Sequence, residues 1–362
     1  MSCHSSKTKV GKRWWPRNWP WVVMLAMCCL LGQVLLPMWL EPSYAGKRVS
    51  EWFEDHVDPS DQARLASRDD YQAFNEMEGD AVPFLVRWVN VHPSHLGNAY
   101  ARFFGSLPSR LTAVLPEPRN DVYYLWRRIR ALEWLGRIGA TQRLKAEAGE
   151  PCKKTSLTAA VPRIQTSLQD RDYSVRTSAA LALMLIGAPA APAVPDLFKL
   201  ARNPKDEAAP AAVQALGAIG LAATNAVGVL AEIVAAPAPT SSLDGSHERI
   251  RIFAARALAE IGITPAEAVP ALTRLTQCNN SWVRVVASLA LWNRNHKDAR
   301  LRSEVVSALH SDARGWIASS LGQLNTNAAP FLPELKPLLY DPDPAIRGIA
   351  NRAIRRIQPA ER

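Results

Sequence analysis

The sequence predicts an all-α protein, a right-handed solenoid of stacked helical hairpins, and three observations support this prediction. A helix–turn–helix pattern over Asp170 to Leu200 recurs along most of the chain. No stretch shows the sustained alternation of apolar and polar residues that indicates a β-strand. Aromatic residues make up only 7% of the 362 residues while alanine is abundant, a composition typical of closely packed helices. A single hairpin cannot bury its apolar faces alone, so each must pack on its neighbours.

The reference hairpin begins with a helix from about Asp172 to Ile186. Apolar residues recur along it at helical spacing, and the Asp172 carboxylate can accept hydrogen bonds from the free amides of the first turn. Gly187 ends the helix, because glycine adopts positive φ without strain. A second helix follows the turn, and Pro195 fits its first turn, where a missing amide hydrogen costs little.

The repeat has a fixed internal spacing, because most copies place an arginine eleven residues before the residue that ends the first helix. This spacing joins Arg128 to Gly139, Arg176 to Gly187, Arg251 to Gly262, Arg284 to Asn295 and Arg314 to Asn325, and it joins Ala209 to Gly220 without the arginine. Asparagine replaces glycine twice as the other residue that tolerates left-handed backbone. Arg347 begins a last copy, so copies start at 128, 176, 209, 251, 284, 314 and 347. Most intervals are 30 or 33 residues, a period typical of an α-solenoid, and we expect seven or eight units.

These residues resemble a HEAT repeat of the short, phycobilisome-lyase-like type. The matching stretches are Asp172-Tyr-Ser-Val-Arg176, Ala179-Ala180-Leu181, Ile186-Gly187 and Ala193-Val194-Pro195. The resemblance implies HEAT-like repeats over residues 127–357, after an irregular helical lead-in with a degenerate first repeat over residues 46–126. Together with an apolar N-terminal segment, the chain is similar to exported HEAT-repeat proteins of verrucomicrobial bacteria. Repeats of this type occur in scaffold proteins, lyases and nucleic-acid-binding proteins. The resemblance therefore implies a fold but does not identify a function.

The N-terminus predicts export. Residues 1–18 form a basic tail, and an apolar segment over residues 19–40 follows, with Trp21 to Leu40 long enough to span a bilayer. The basic flank should remain in the cytoplasm, which would leave the solenoid membrane-anchored on the extracytoplasmic side, in the periplasm. The alternative is a signal peptide cleaved after Ala45, where small residues stand at the positions that a signal peptidase prefers, with secretion of the rest.

Two intervals between repeats are longer than the others. The extra residues fall at Thr141–Ser156, between the helices of one unit, and at Ala235–His247, between two units. Both stretches are polar or rich in proline and serine, which indicates surface loops. We interpret them as tolerated insertions, although binding loops also arise at such places.

The recurring arginines are the most conspicuous polar set, and they allow two hypotheses. They are Arg128, Arg176, Arg251, Arg284, Arg314 and Arg347. A row of guanidinium groups could form a track for phosphates. The hypothesis that we favour is a structural ladder, in which each arginine bridges an aspartate or the free carbonyls of an adjacent unit. Asp170 and Asp341 are among the suitably placed partners.

No pattern predicts catalysis, a cofactor or a metal site. The chain lacks nucleotide-binding and nucleophile motifs, His247-Glu248 is its only adjacent His-Glu pair, and Cys152 and Cys278 fall in units that do not touch. Tryptophans in the repeats, such as Trp292, are interpreted as packing residues. The formal charge is +10, but basic residues of the N-terminal tail supply much of it, so nucleic acid is not the expected partner.

The function that these features predict is a non-enzymatic scaffold that binds another exported or membrane-associated protein. One alternative is binding of nucleic acid or another polyanion along a basic face of the solenoid. The other alternative is an enzyme of the HEAT-like lyase group, which the resemblance alone implies.

Overall fold

The structure is a computed structural model, and it describes residues 41–54, 68–148, 150, 157–236 and 246–358. The predicted membrane or signal segment Trp21–Leu40 and the basic tail before it lie outside these residues. So do the second part of the first insertion and most of the second one, since residues 149, 151–156 and 237–245 are not described.

The described chain is almost entirely helical, as the sequence predicts. The helices of the lead-in are α1 (Val49–Glu54), α2 (Arg68–Met77), α3 (Val82–Val89), α4 (His95–Gly105) and α5 (Ser109–Thr112). The first helices of the repeats are α6 (Asp121–Ala148), α8 (Tyr173–Ile186), α10 (Ala209–Ile219), α12 (Ser246–Ile261), α14 (Ser281–Trp292), α16 (Arg314–Gln323) and α18 (Pro344–Ile357). The second helices are α7 (Leu157–Ser167), α9 (Val194–Ala201), α11 (Val227–Ala235), α13 (Val269–Leu275), α15 (Ala299–Leu309) and α17 (Leu332–Leu335).

Short 3-10 helices and one small hairpin complete the fold. The 3-10 helices are Glu78–Ala81, Ala188–Ala193, Gly220–Ala226, Ala266–Ala268, Asn325–Phe331 and Lys336–Tyr340. Strands β1 (Ser43–Tyr44) and β2 (Lys47–Arg48) pair antiparallel, with Ser43 opposite Arg48. Ala45 and Gly46 form their turn, with φ of 51° and 79°.

The core is continuous because the first helices pack on one another in chain order. The reference helix α8 is capped by Asp172, whose side chain accepts from the Ser174 amide, and its apolar stripe is buried from Val175 to Ile186. It packs on α6 before it and on α10 after it. The shared stripes form one apolar cluster from Val49 to Ile357, which defines a stack of repeats rather than a globule.

One repeat position controls how closely consecutive first helices approach. Glycine stands eight residues after the repeat start at Gly136, Gly217 and Gly322. A Cβ atom at Gly136 would lie 2.8 Å from Ala182 Cα, and one at Gly322 would lie 2.8 Å from Ala353 Cα. These glycines therefore allow α6–α8, α10–α12 and α16–α18 to pack backbone against backbone, which a larger residue would prevent.

The same position holds Trp292 in α14, and there the packing differs. The Trp292 side chain is 1% exposed, its ring centroid lies 4.8 Å from that of Phe331, and its Nε1 donates to the Asn327 carbonyl at 2.9 Å. The indole thus fills the space between α14 and the 3-10 turn of the next hairpin. The backbones of α14 and α16 do not make the extensive contact that the other consecutive first helices make.

Gly139 does not end its helix, so that prediction is wrong. Helix α6 continues through it to Ala148, and a Cβ at Gly139 would lie 2.7 Å from Ile186 Cγ1. The continuation is held by the lead-in, because Lys145 pairs with the buried Glu78 and the Thr141 hydroxyl donates to Asn75 Oδ1 at 3.2 Å. The first part of the predicted Thr141–Ser156 loop is therefore helix.

Of the other residues predicted to end a helix, four have the expected positive φ and one does not. Positive φ occurs at Gly187 (75°), Gly220 (72°), Gly262 (81°) and Asn325 (53°). The prediction for Asn295 is wrong, because α14 already ends at Trp292 and Asn295 does not have positive φ. The side-chain amide of Asn293 donates instead to the Ala259 carbonyl of the preceding unit at 3.1 Å.

The run Ala209–Ala235 is the one described stretch that is long and apolar enough to cross a membrane. It comprises α10, the 3-10 helix after it and α11, and Ala223 leaves helical geometry with φ of −96° and ψ of 18°. Most apolar residues of its two α-helices are buried on the neighbouring hairpins. We therefore interpret the run as two core helices of the stack.

Candidate binding groove

The recurring arginines lie in the first half of their helices, and three of them contact the loop that precedes the helix. Arg176 donates through Nη1 to the carbonyls of Asp170 at 2.8 Å and Arg171 at 3.0 Å. Arg347 donates in the same way to the carbonyls of Asp341 at 2.8 Å and Pro342 at 2.9 Å. Arg284 repeats the pattern with the carbonyls of Cys278 and Asn279, at 3.2 and 3.1 Å.

Four of the recurring arginines pair with acids, three in the loop before the next first helix and one, Arg284, in the second helix of its own unit. Arg128 pairs with Asp170, Arg176 Nη2 lies 2.9 Å from Asp206 Oδ1, Arg284 Nε lies 3.4 Å from Glu304 Oε2, and Arg314 Nε lies 2.7 Å from Asp341 Oδ2. Arg251 donates to the Val234 carbonyl at 3.3 Å. These bonds engage part of each guanidinium group within the protein. The Arg314 pairing and the Asp343 amide lower the pKa of Asp341 below its usual range.

A cavity lies at the other end of the first helices. It has a volume of about 760 Å³, and we call it the groove. The helix ends of α6, α10, α12, α16 and α18 and the turn after α8 line it. Arg143 of α6 and Arg352 of α18 both face it, so the stack curves enough for its first and last hairpins to share one cavity.

The groove has both polar and apolar walls, and it carries more arginine than acid. Arg143, Arg352 and Arg356 line it with Glu260 as the one carboxylate, and Gln323 contributes a buried Oε1 atom without a hydrogen-bond partner in the protein. Leu221, which is 67% exposed, adds an apolar side chain. Such a mixture of cationic, amide and apolar groups suits a peptide segment better than a small apolar molecule.

Glu260 is the buried charge of the groove. It is 8% exposed, and its Oε1 accepts from Arg256 Nε at 2.6 Å. The Arg256 guanidinium in turn lies 5.3 Å from the ring centroid of Trp316 on α16. Burial raises the pKa of Glu260, and the charges of Arg256 and Arg143 oppose this rise only in part. The cluster connects α10, α12 and α16 at the wall of the groove.

Because the pKa of Glu260 is raised in the folded state, ionising this carboxyl costs more free energy in the folded than in the unfolded chain. The contribution of Glu260 to the free energy of unfolding is therefore greatest at low pH and falls as pH rises. We expect the stability of the native chain to decline from the ordinary glutamate pKa of 4.5 upward, and Glu260→Gln to remove that decline. Arg256, whose side chain is 31% exposed, can then be solvated. Urea unfolding midpoints at pH 4.5, 6 and 8 would measure the difference, with Glu232→Gln at an exposed carboxylate as the control. A Gln variant that is less stable than the native chain at pH 8 would contradict this expectation.

Sequence reasoning missed the groove, although a pattern for it exists. Polar residues recur nine positions after the repeat start, at Arg137, Glu260, Asn293, Gln323 and Arg356. Three of these line the groove, because the position lies near the end of the first helix, far from the recurring arginines. Arg143 could not be placed from the sequence, since it depends on the continuation of α6 beyond Gly139.

Within the described residues, no group of three or more histidine, cysteine, aspartate or glutamate side chains is placed to hold a metal ion. Cys278 is a free thiol. Cys152, with which no disulfide is expected, lies outside the described residues. His247-Glu248 lies on α12, but its side chains are not described.

No protein-family model matches the chain, and no curated protein matches it. Among solved structures, an engineered protein from the Northeast Structural Genomics Consortium is 23% identical, with 64% of this chain and 91% of that chain covered and a TM-score of 0.35. A second engineered protein from the consortium is 20% identical, with 86% and 88% covered and a TM-score of 0.37. A mutant of Kap121p is 11% identical, with 85% of this chain and 44% of that chain covered and a TM-score of 0.26.

Similarities of this size say nothing about activity. The class of the protein follows instead from its own helices, which alternate between first and second helices of hairpins and share one elongated core. The chain is a helical-repeat solenoid.

Proposed function

We propose that this protein is a non-enzymatic scaffold that binds a segment of another protein in the groove. The observation that supports the proposal is the shared cavity of about 760 Å³, which side chains from both ends of the stack line. A segment lying there would contact several hairpins at once, and many modest contacts add up along a solenoid. Arg143, Arg352 and Arg356 favour an acidic segment.

The test is site-specific photo-cross-linking in intact cells. A photoreactive residue at Leu221, inside the groove, should capture a distinct protein, whereas one at Tyr340, 88% exposed and outside the groove, should not. The double variant Arg352→Glu/Arg356→Glu should abolish capture from Leu221, because it reverses the charge that favours an acidic segment. Equal capture from both positions, or capture that charge reversal leaves unchanged, would reject the groove as the binding site.

A polyanion is the second candidate, because the same three arginines also suit phosphate groups. Binding to heparin or single-stranded nucleic acid would weaken steeply with salt, since bound counterions are released on association. The discriminating measurement is retention on a polyanion column at rising salt. Early elution that the Arg352→Glu/Arg356→Glu variant does not change further would dismiss the polyanion and leave the protein partner.

The proposal includes a membrane tether, with Trp21–Leu40 as an uncleaved anchor and the solenoid on the extracytoplasmic side, resembling exported HEAT proteins. The fold of residues 41–44 supports the anchor over cleavage after Ala45. The Ser50 amide donates to Glu41 Oε1, and Trp52 Nε1 donates to the Tyr44 carbonyl at 3.1 Å. Cleavage after Ala45 would remove both acceptors. Mass measurement of the protein from membranes tests this, and an N-terminus at Gly46 would reject the anchor.

A further inference from the structure

The segment between α3 and α6 differs from the rest of the fold because it contributes nothing to the core. No side chain described between residues 90 and 127 is buried. Helices α4 and α5 form a hairpin, residues 95–115, that makes few contacts with other helices. It is held largely within itself, since the Tyr100 hydroxyl donates to the Pro116 carbonyl at 2.6 Å.

The outer surface of this α4–α5 hairpin is apolar. Val114 is 84% exposed, Phe103 56%, Leu111 52% and Leu115 38%. Four of the ten large hydrophobic side chains that the described chain leaves exposed lie in this short hairpin. A concentrated exposed apolar surface in an otherwise well-buried fold indicates a binding surface.

The hairpin joins the fold close to the point where the apolar N-terminal segment ends. Glu41 directly follows Trp21–Leu40 and accepts from the Ser50 amide in α1. One turn further along α1, a rise of about 6 Å, Glu54 accepts from the Tyr123 hydroxyl at 2.6 Å and pairs with Arg119 at 4.0 Å. Arg119 and Tyr123 directly follow the hairpin in the chain. A bilayer that held Trp21–Leu40 would therefore lie beside it.

The charges of the hairpin also suit a membrane surface. Its arginines Arg102 and Arg110 are exposed, Arg119 follows, and Glu117 is the one acid between residues 91 and 120. Basic residues beside exposed apolar side chains are typical of segments that lie in the interface of an anionic bilayer.

We propose that the α4–α5 hairpin inserts its apolar tip into the surface of the membrane that anchors the chain. The occupant of the apolar surface is the lipid interface, and the hairpin is a second attachment point that fixes the orientation of the solenoid. This inference rests on the proposed tether. Two attachments to the bilayer restrict the rotation of the solenoid that a single anchor permits. The groove would therefore have a fixed height and direction relative to the bilayer.

The test uses the full chain in lipid nanodiscs that contain phosphatidylglycerol, with native cysteines replaced by alanine. One variant carries Val114→Cys and the matched control carries Tyr340→Cys, each labelled with an environment-sensitive fluorophore. Nitroxide-labelled lipids should reduce the emission from position 114 by roughly half or more, since an interfacial segment penetrates about 5–10 Å. Emission from position 340 should stay unchanged. Replacing Arg102 and Arg110 by glutamine should weaken the quenching.

Each other outcome overturns the proposal. If the chain co-elutes with nanodiscs but position 114 is not quenched, the tether stands and the hairpin lies in water. If position 114 is protected from water without lipid quenching, either Trp21–Leu40 or a second copy covers it, and cross-linking between copies distinguishes the two. If the chain does not enter nanodiscs at all, the tether itself fails, and the inference fails with it.

Discussion

Replacing Trp292 by alanine should destabilise the protein by about 3–5 kcal/mol, the range for truncating a large buried aromatic side chain. The indole is 1% exposed, packs on Phe331 and donates a hydrogen bond to the Asn327 carbonyl. Its removal leaves a cavity and a buried acceptor without its partner. Because α14 and α16 lack the close backbone packing of the other first helices, side chains such as Trp292 carry the contact between the two hairpins.

The expected defect is local as well as large. Hairpins of a solenoid couple mainly through their interfaces, so a weakened interface should let α16 to α18 unfold before the rest. Hydrogen exchange at increasing urea would detect early exposure of amides in residues 314–357, and urea unfolding would give the total loss. Tyr340→Ala is the matched control, since an 88% exposed aromatic should change stability by less than about 0.5 kcal/mol. Similar losses for the two variants would show that Trp292 does not hold this interface.

Replacing Gly136 by leucine should cost about 3 kcal/mol, the upper end of the usual range for overpacking. Even the first added carbon would lie 2.8 Å from Ala182 Cα and 3.1 Å from Leu185 Cδ1, and the former is backbone that cannot rotate away. Helices α6 and α8 would have to separate. The loss should appear in thermal and urea unfolding.

Gly228→Leu provides the control for intrinsic helix preference. Gly228 lies in α11, where an added Cβ would meet no atom within 4 Å. Leucine there should be neutral or stabilise the helix by up to about 1 kcal/mol, because glycine is a poor helix former. Equal effects at both glycines would mean that close approach of α6 and α8 does not depend on Gly136.

Much of the local structure could be predicted because local chemistry decides it. Asp172 caps α8, Gly187 takes positive φ after it, and both follow from residues within one hairpin. Gly139 shows the limit, since the same residue that ends a helix elsewhere here serves close packing on Ile186, and only the neighbouring helix decides between the two roles.

The candidate binding groove, too, could be predicted only in part from the sequence. The spacing of the arginines was visible in the sequence, but their partners, such as Asp206 for Arg176, depend on which loop lies beside each helix. The groove depends on contacts across the whole stack, because it unites Arg143 with Arg352, residues more than 200 positions apart. No local pattern specifies the curvature that brings them together.

The sequence by itself determined the class of fold, the repeat period, the helix ends in several hairpins and the apolar stripes that bind one hairpin to the next, since these depend on local spacing and its recurrence. The tertiary structure alone decided where the stack opens at Trp292, how far α6 extends, which arginines and acids meet, and that the α4–α5 hairpin stays outside the core. These features arise from side chains of distant units competing for the same space, and their outcome depends on the assembled stack.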